Sequence, residues 1–502
     1  MRRLSRQVTP DGALLGASAG DATGIVHLGL GNFHRAHAAV YTAHALAAEP
    51  GGWGDWGDRG IHGFANRSHD VVTAMRAQDG RYSILELSDQ GRRAGVIDVH
   101  RSLGVLADDP EGFVAAVADP AHRILTLTVS EVGYCRSART GTLDLERDDV
   151  RSDIADPTQP RSTIGLIARG LAVRAASGAP ITVLSCDNLQ SNGRATRAVL
   201  TEFLHASATS GDVLNFVENQ VTFPNSMVDR IVPGTTAQTV ADVAGLMHVD
   251  DRCPVPAEDF TMWVLEDHFA AGRPAWDRAG AIMSDEVEAY ELVKLRLLNG
   301  SHSLIAYLGL LDGRPTIAEA WAQGFVRDAV RTCIANEYLP SITLPRGFDL
   351  DVYVDSLSHR WANSALGHRT SQVCTDGSVK LLQRIPEPAQ MALRDGRVPH
   401  LLALTVAGWI ATVAPPPGFD PGPYASEVRE PARARLEEVT RGASGAREHA
   451  MLVLHNGFLP DELIAHAAFT DRVADLVTAI ARGGVRSAAH EATHAVNYRE
   501  VS

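Results

Sequence analysis

The chain is poor in cysteine, and the cysteines form no recognisable framework. Its five cysteines are widely spaced and never occur as a CxxC pair: Cys135, Cys186, Cys253, Cys333 and Cys374. An odd, scattered set indicates free thiols in a reducing compartment and argues against a disulfide framework or a zinc cluster. We therefore expect a cytoplasmic protein.

The sequence also lacks a hydrophobic run long enough to cross a membrane. The longest run, Leu401–Val413, is about five residues short of the roughly 18 that suggest a span. The basic stretch Met1–Gln7 is followed by polar residues and glycines, where an export signal needs an apolar core. We predict a buried helix at Leu401–Val413 and no export signal.

The chain has fewer basic than acidic residues. The 502 residues include 46 Lys and Arg against 60 Asp and Glu, a formal net charge of −14. This balance disfavours binding to nucleic acid and to anionic membranes, so we expect small-molecule partners. The composition, 45% hydrophobic and 21% charged, is that of a globular protein with two or three domains. The oligomeric state stays open.

Short β-rich runs alternate with amphipathic segments between Gly24 and Asp187. The predicted strands are Ile25–Leu28, Ile61–Ala65, Ile124–Val129 and Ile181–Ser185. Among the segments between them, Ser162–Ala176 is typical of an amphipathic helix that Gly178 stops. Such alternation predicts a parallel sheet covered by helices on both faces.

After Met283 long helical periodicities take over. The predicted helical segments are Glu286–Leu311, Ile317–Glu337, Leu401–Val413, Glu427–Thr440, Pro460–Ala467 and Asp471–Arg482. Before that point, the polar stretch Arg139–Arg161 predicts a surface loop. The resulting prediction is an α/β protein, with a Rossmann-type parallel-sheet domain over residues 1–283 and a mostly α-helical substrate and catalytic domain over residues 284–502.

A Gly-x-Gly turn follows the first predicted strand. It reads Gly29-Leu-Gly31-Asn32-Phe33-His34, and an alanine-rich helical segment comes next. Glycines there let the backbone approach a pyrophosphate at a helix N-terminus. His34 stands where the third glycine of the fingerprint is expected, and a plain tight turn would also explain the pattern. The order strand, turn, helix favours cofactor binding at Gly29, Gly31, Asn32 and Phe33.

The ends of the next strands carry polar residues. Asn66-Arg67-Ser68 follows the second strand with no carboxylate before Asp70, so Arg67 can meet the 2′-phosphate of NADP or lie beside the adenine. Ser130-Glu131 ends the third strand, and Cys186-Asp187-Asn188 the fourth. Ligands gather at this edge of an open sheet. We predict Asn66, Arg67, Ser130 and Glu131 as cofactor-binding residues.

Three polar side chains interrupt the apolar segment that follows Met283. At about 100° per residue, Asn299 lies about 140° and His302 about 80° from Lys294, so all three fit one helix face. Apolar neighbours lower the pKa of a lysine and equip it for proton transfer near neutral pH. Taken alone, the segment favours a solvated lysine with a capping asparagine.

Five motifs, in order along the chain, resemble those of the mannitol dehydrogenase family of polyol-specific long-chain dehydrogenases and reductases. They are GLGNFHRAH at Gly29–His37, SCDNLQSNG at Ser185–Gly193, FPNSMVDRI at Phe223–Ile231, KLRLLNGSHS at Lys294–Ser303 and DGSVKLLQR at Asp376–Arg384. The Lys-x4-Asn-x2-His spacing is specific to that family.

The resemblance implies a metal-independent, NAD(P)-dependent dehydrogenase acting on CH–OH groups, with NAD favoured and NADP open. It implies that Lys294 is the general acid/base, that Asn188 and Asn299 form the oxyanion site, and that His302 orients a substrate hydroxyl. Two carboxamides can stabilise an alkoxide while lysine accepts its proton. The implied sugar-binding residues are Asp229, Arg230, Gln372 and Lys380.

The same resemblance bears on the substrate. The stretch His368–Gln372 is more similar to fructuronate reductases, because mannitol 2-dehydrogenases tend to carry arginine in place of Gln372. Asn66-Arg67-Ser68 does not resemble the acidic cofactor segment of those reductases. The balance favours D-fructuronate and D-mannonate; the alternative is mannitol 2-dehydrogenase (D-mannitol and D-fructose) or arabinitol dehydrogenase.

Two other classes compete with this interpretation. A zinc-dependent alcohol dehydrogenase could use His34 and His37, but no cysteine or carboxylate stands nearby to complete a site. A non-catalytic sugar- or nucleotide-binding protein could keep the fold. The intact set of Lys294, Asn299, His302 and Asn188 argues against it.

Overall fold

The computed structural model describes residues 1–10, 12–49, 56–137 and 140–497. The chain divides into an N-terminal unit, Met1–Glu288, and a C-terminal unit, Ala289–Ser502. The boundary predicted from the change in periodicity was 283/284.

The strands all belong to the N-terminal unit. They are β1 (Arg2–Arg3), β2 (Thr23–Leu28), β3 (Gly60–Ala65), β4 (Tyr82–Ser88), β5 (Gly91–Ile97), β6 (His100–Val105), β7 (Ile124–Leu127), β8 (Ile181–Ser185), β9 (Val221–Thr222), β10 (Ser226–Asp229), β11 (Val249–Asp250), β12 (Val255–Glu258), β13 (Met262–Leu265) and β14 (Ile282–Met283).

Six of these strands form one parallel sheet in the order β6-β3-β2-β7-β8-β9. The four predicted strands are its four central members. Counted along the sheet, the order is that of a dinucleotide-binding Rossmann sheet, which runs outward in both directions from its first strand. The order reverses between β2 and β7, and ligands bind outside the carboxyl ends of the strands at such a point.

Both faces of this sheet are covered, as the near-continuous apolar strands predict. Along β2, Ile25 packs into one core cluster, whereas Val26 and Leu28 pack into the other. Leu184 of β8 joins the first cluster and Val183 the second. Successive side chains of a strand point to opposite faces, so alternate residues fill two separate cores.

The sequence predictions did not include two three-stranded sheets or the parallel β1–β11 pair. β4 and β5 form an antiparallel pair to which β12 adds in parallel, and β10 pairs with β13, which pairs with β14. β12 lies far along the chain from β4, and β10 far from β13, so hydrophobic periodicity within one segment does not reveal these pairings. β4 and β5, in contrast, form a local hairpin that the sequence predictions missed.

The helices of the N-terminal unit cover the sheets. They are α1 (Asn32–Ala36), α2 (Ala38–Ala48), α3 (His69–Arg76), α4 (Pro110–Ala118), α5 (Ser130–Gly133), α6 (Asp148–Ala155), α7 (Thr163–Ala175), α8 (Asn192–Ala206), α9 (Gly211–Gln220) and α10 (Ala237–Met247). The predicted helix Ser162–Ala176 is α7, with the Ser162 side chain capping its first turn.

Helix α6 corrects the prediction of a loop over Arg139–Arg161, of which Arg139 itself lies outside the described residues. Asp148 and Asp149 occupy the first turn of α6, where carboxylates favour a helix. The buried Asp153 accepts hydrogen bonds from the backbone N–H groups of Arg161 and Ser162 at 2.8 Å each. The polar residues therefore build a helix and the entry to α7.

The described C-terminal unit is helical. After α11 (Val287–Val293), which crosses the boundary, come α12 (Ser301–Leu311), α13 (Ile317–Trp321), α14 (Gly324–Cys333), α15 (Leu350–Ala362), α16 (Thr370–Cys374), α17 (Gly377–Arg384), α18 (Pro386–Arg394), α19 (His400–Val413), α20 (Arg433–Val439), α21 (Ala446–Leu454), α22 (Asp461–Ile464) and α23 (Ala467–Asn497, kinked at Gly484). Two segments, Lys294–Gly300 and Ile334–Tyr338, are π-helical, and Leu339–Ser341, Ser364–Leu366 and Ala425–Glu427 are 3₁₀ turns.

The predicted segments are therefore shorter or interrupted in places. Glu286–Leu311 comprises α11, the first π-helical segment and α12, and Glu427–Thr440 is helical only over Arg433–Val439. The buried helix predicted at Leu401–Val413 is confirmed: every residue in that range is buried in α19. Across the described ranges, no helix is long and apolar enough to span a bilayer.

A buried carboxylate caps α19. Both oxygens of Glu337 accept hydrogen bonds from the backbone N–H of Leu401, at 2.9 and 3.2 Å, and one also accepts from Leu402 at 2.8 Å. Burial raises the pKa of Glu337 from its ordinary 4.5 to about 7, although these donors oppose the rise. The protonated form is therefore favoured in the folded state.

We predict that Glu337 makes stability fall as pH rises. Because its pKa is higher in the folded state, its contribution is fully present below pH 4.5 and is lost as pH passes through about 7. The free energy of unfolding of Glu337→Gln, relative to wild type, should rise by about 3 kcal/mol between pH 4 and pH 8. Urea titrations across this range measure the difference, with the exposed Glu319→Gln as control. A constant difference for Glu337→Gln would contradict the assignment.

Candidate active site

The Gly-x-Gly turn leaves open space beside its second glycine, where a ligand can approach the protein backbone. Gly29 has φ = +108°, and a Cβ there would overlap the carbonyl oxygen of Thr128. Gly31, at the N-terminus of α1, is exposed, and a Cβ there would meet nothing closer than the Gly29 oxygen at 3.8 Å. Gly29 is therefore required by the turn itself, whereas the space beside Gly31 fits the close approach of a pyrophosphate.

Asn32 and Phe33 follow in α1. The Asn32 carboxamide donates to the Pro233 carbonyl at 3.3 Å and accepts from Arg35 at 2.6 Å. The partly buried Phe33 ring stacks on His37, with the ring centroids 5.1 Å apart. The Asn32 side chain thus stabilises the turn, and its backbone N–H lies at the start of the helix.

His34, in place of the third fingerprint glycine, lies in a buried histidine cluster. Its ring stacks on His27 at 3.3 Å between centroids, and its Nε2 lies 3.0 Å from Nε2 of His100. Burial lowers the pKa of His27 to about 3 and that of His34 and His100 well below the usual value, so the cluster is neutral. It packs beneath the turn as a core element.

The zinc interpretation loses its support at these residues. His34 bonds to another histidine, and His37 lies 3.1 Å from the Met262 carbonyl. Within the part of the chain that the structure describes, no group of three or more His, Cys, Asp or Glu side chains is placed to hold a metal ion.

Asp187, to which no role was assigned, organises the loop after β7. Its carboxylate accepts hydrogen bonds from the backbone of Val129 at 2.8 Å and of Ser130 at 3.1 Å, and from the Tyr134 hydroxyl at 2.8 Å. Burial raises its pKa, and these donors oppose the rise. Ser130 (φ = +60°) and Glu131 are thereby held exposed at the carboxyl end of β7.

Asn66 and Arg67 lie at the same edge of the sheet. Both are exposed and directly follow β3, and α3 begins two residues later at His69. The first carboxylate after β3 is that of Asp70.

Two buried asparagines lock the loop that carries Asn188. The Asn192 carboxamide donates to the carbonyls of Ser185 (3.1 Å) and Ser226 (2.8 Å) and accepts from the Ser226 N–H (2.8 Å). The Asn225 carboxamide oxygen accepts from the N–H of Gly193 at 2.9 Å. The second and third motifs are therefore joined through backbone groups, and the exposed Asn188 lies in the turn that they anchor.

Asp229 and Arg230 end β10 and are buried. Asp229 is 4% exposed, and the Arg230 side chain is 1% exposed. The Arg230 guanidinium donates to the carbonyls of Ala36 at 2.7 Å and Glu258 at 2.9 Å and to the Glu86 carboxylate at 3.0 Å. These contacts tie β10 to α1 and β12.

Lys294 and Asn299 lie on the π-helical segment, which corrects the geometry assumed from the sequence. Its i→i+5 hydrogen bonding widens the turn, so a step of 100° per residue does not apply between Lys294 and Gly300. Lys294 is 9% exposed, and Asn299 is partly exposed. Short π-helical segments of this kind occur frequently at functional sites.

His302, on the first turn of α12, is kept neutral. Burial lowers its pKa well below the usual value, and His368 and the cations Arg360, Arg384 and Lys380 lower it further. Its ring lies 5.4 Å from His368 between centroids, and its Nε2 is buried with no hydrogen-bond partner among the described residues. A neutral ring with an unsatisfied nitrogen can bind a substrate hydroxyl.

Gln372 and Lys380 lie on α16 and α17. Gln372 is exposed, whereas Lys380 is partly buried with its Nζ 3.5 Å from the Val373 carbonyl. Burial lowers the pKa of the neighbouring His368 to about 4, and the charge of Lys380 adds to this effect. The rarity of lysine is itself a signal in the sequence. Lys294 and Lys380 are the only lysines in the chain, and the rest of its Lys and Arg residues are arginine.

Both units match models of one family. The model described as the mannitol dehydrogenase Rossmann domain matches residues 23–278, and that of the mannitol dehydrogenase C-terminal domain matches residues 286–481. The chain belongs to the mannitol dehydrogenase family. It is thus an oxidoreductase acting on CH–OH groups, and the predicted family and fold class are confirmed.

Individual relatives cover most of the chain. D-mannonate oxidoreductase of Escherichia coli (strain K12) is 36% identical over 464 residues, 92% of this chain and 94% of that protein. Polyol:NADP oxidoreductase of Gluconobacter oxydans (strain 621H) is 34% identical over 77% of this chain and 79% of its own. The structure of Pseudomonas fluorescens mannitol 2-dehydrogenase in ternary complex with NAD and D-mannitol matches with a TM-score of 0.83 at 29% identity, covering 97% of this chain and 99% of that one.

The two glycines of the turn should respond differently to substitution by alanine. Gly29→Ala should lower the free energy of unfolding by about 1–3 kcal/mol, because φ is positive and the Cβ overlaps Thr128. Gly31→Ala should leave stability within about 0.5 kcal/mol of wild type. Both should weaken cofactor binding about tenfold or more, since a Cβ at Gly31 occupies space for the pyrophosphate. Thermal unfolding and titration with NAD and NADP measure the two effects. Unchanged cofactor affinity in Gly31→Ala would place the cofactor elsewhere.

Proposed function

We propose that this protein interconverts D-mannonate and D-fructuronate with NAD as the preferred cofactor. The observation that carries the proposal is the 36% identity to D-mannonate oxidoreductase over 92% of the chain. Gln372, in place of the arginine typical of mannitol 2-dehydrogenases, supports the same choice.

Lys294 is the proton-transfer group in this proposal. As hydride leaves the carbinol carbon, the hydroxyl proton passes to the neutral Lys294 amine, and the C–O bond becomes a carbonyl; reduction runs the same steps in reverse. Bound NAD supplies the hydride acceptor. Arginine is charged at every working pH, whereas a buried lysine can lose its proton. This difference explains why an otherwise lysine-poor chain carries lysine at position 294.

Two carboxamides and one imidazole assist the proton transfer. We assign Asn188 and Asn299 to the negative charge that develops on the substrate oxygen, because fixed N–H donors stabilise an alkoxide without a metal ion. His302 orients the substrate hydroxyl through its unsatisfied Nε2. Its low pKa keeps it neutral throughout the working range, so it adds no charge beside Lys294.

The remaining predicted residues hold the two ligands. Gly29, Gly31, Asn32 and Phe33 receive the pyrophosphate through backbone N–H groups, and the adenosine and nicotinamide ends are assigned to Asn66, Arg67, Ser130 and Glu131. Among the sugar-binding residues, Lys380 offers a positive charge that suits the carboxylate of a hexonate, and Gln372 and Asp229 can bind hydroxyls. Arg230 holds β10 in place through its hydrogen bonds to three acceptors.

Mannitol 2-dehydrogenase activity is the second candidate, and the fold similarity to the Pseudomonas enzyme favours it. The two differ in substrate charge, because D-mannitol is neutral and D-mannonate is an anion. Initial rates on mannonate, mannitol, arabinitol, fructuronate and fructose, each with NAD(H) and NADP(H), decide between them. We expect kcat/KM to be highest for the mannonate and fructuronate pair. Higher values for mannitol and fructose would overturn the proposed substrate, and binding of NAD without turnover on any of the five would overturn the enzyme assignment.

Lys294→Ala should lower kcat by about 10²–10⁴, the usual size of a general acid/base contribution, with NAD affinity unchanged. In the wild type, alcohol oxidation should increase with pH as the lysine loses its proton, whereas ketone reduction should not share this rise. Rates of both directions between pH 6 and pH 10 provide the measurement, with Lys380→Ala as the matched lysine control that should retain the pH dependence. Activity of Lys294→Ala within tenfold of wild type would remove this residue from the mechanism.

Arg67 should decide how well NADP is used. A charge-assisted pair with the 2′-phosphate predicts that Arg67→Ala costs about 10- to 150-fold in NADP affinity and leaves NAD affinity unchanged. Titrations of both cofactors test this, with Arg76→Ala, an exposed arginine at the other end of α3, as the control. Equal weakening of both cofactors would show that Arg67 stacks on the adenine instead.

A further inference from the structure

Arg384 contacts the backbone of the residue that we assign to the alkoxide. It is the last residue of α17, and its Nη1 donates to the Asn299 carbonyl at 3.0 Å and to the Ser303 hydroxyl at 2.7 Å. The Ser303 hydroxyl in turn donates to the same Asn299 carbonyl at 3.4 Å. One guanidinium nitrogen and one hydroxyl therefore converge on a single carbonyl oxygen.

This carbonyl lies where the helix changes its hydrogen-bonding pattern. The π-helical segment ends at Gly300, and α12 begins at Ser301. A change between i→i+5 and i→i+4 bonding disrupts the regular ladder, and side chains commonly insert at such points. Donors from Arg384 and Ser303 satisfy the Asn299 carbonyl at the place where the helix itself satisfies it least well.

Tyr338 packs against the same turn. A Cβ at Gly300 would overlap the Tyr338 hydroxyl, and Tyr338 ends the second π-helical segment. Tyr338 is fully buried, and its hydroxyl has no hydrogen-bond partner among the described residues. The backbone of Asn299 and Gly300 is thus contacted by a guanidinium and by a phenol ring.

The charge of Arg384 has no counter-ion in this part of the molecule. Among the residues that the structure describes, no carboxylate lies within ion-pair distance of it, and its Nε is buried without a partner. Burial lowers the pKa of its guanidinium, which nevertheless stays charged at any working pH. A partly buried cation without a carboxylate destabilises the folded state, so its position against the Asn299 backbone points to a use in the reaction.

We propose that Arg384 is a positioning residue for the reaction. By fixing the Asn299 backbone, it holds the Asn299 carboxamide on the substrate oxygen, and its positive charge favours the developing alkoxide. This inference rests on the function proposed above, because it assigns no contact between Arg384 and substrate. A purely structural brace would affect stability but would not couple to the role of Asn299.

The experiment compares Arg384→Ala and Arg384→Lys with Asn299→Ala and with a matched control. Arg433 is the control, since it lies in the same unit, is also partly buried, and donates to the carbonyls of Val413 at 3.2 Å and Val428 at 3.0 Å. Arg384→Ala should lower kcat about 10- to 100-fold, since small misplacements of reacting groups have effects of this size. NAD affinity should not change, and Arg433→Ala should keep wild-type kcat.

Three further readouts separate positioning from bracing. Millimolar guanidinium chloride should restore part of the kcat of Arg384→Ala, whereas equal urea should not, and neither should help Arg433→Ala. Arg384→Lys should retain more activity than Arg384→Ala because it keeps a donor and a charge. In the double variant with Asn299→Ala, loss of Arg384 should cost less than twofold, because the group that it positions is gone.

The possible failures are distinguishable. If Asn299→Ala loses activity while Arg384→Ala keeps kcat within twofold of wild type, the positioning role is wrong and the proposed function stands. If the two substitutions are additive, or guanidinium has no effect, Arg384 is only a structural brace. If Asn299→Ala itself is fully active, the alkoxide assignment fails, and the role of Arg384 fails with it.

Discussion

Parallel strands must all end at one edge of their sheet. Apart from Asp229 and Arg230, the predicted ligand-binding residues of the N-terminal unit lie on segments that directly follow strands at that edge. The segments after β2, β3, β7 and β8 carry Gly29, Arg67, Ser130 and Asn188 respectively. The reversal of strand order between β2 and β7 leaves a crevice there that no crossover helix can cover. The position of the site is therefore a consequence of topology before any side chain is considered.

Neutral carboxamides stabilise this edge of the sheet, where burying charged groups would carry a large desolvation penalty. Asn192 and Asn225 bind backbone groups of neighbouring motifs from buried positions, and each uses both its donor and its acceptor capacity. A carboxamide can satisfy carbonyl and N–H groups together without the desolvation cost of a charge. Asp187 is the exception among these anchors, and its raised pKa reflects that cost. Burial likewise keeps the cluster of His27, His34 and His100 beneath the glycine turn neutral.

In the C-terminal unit the distribution of basic residues follows from what each can do. Arginine cannot give up its proton, and this unit uses it for partly buried donors such as Arg384. Lysine occurs at two positions only, and both belong to the proposed site. The π-helical segment adds a second constraint, because it places Lys294 and Asn299 on a turn whose backbone needs outside donors. The seven residues Lys294–Gly300 thus contain both the proposed reacting side chains and the irregular backbone.

Local pattern in the sequence determined the four central strands, helix α7, the buried helix α19, the glycine turn and the family, because alternation, helical periodicity and motif order are properties of neighbouring residues. It did not reveal β10 and β12–β14, since pairing with a distant strand leaves little trace in either partner, and it also missed the local β4–β5 hairpin. The polarity of its residues wrongly predicted a loop in place of helix α6. The regular step of 100° per residue was also wrong across Lys294–Gly300, because a π-helix depends on tertiary support. Asp187 and Arg384 stood in or beside quoted motifs, but their acceptors and donors are backbone groups far away in the chain. Only the tertiary structure brings such groups together, so only it decided which polar residues hold the site in place.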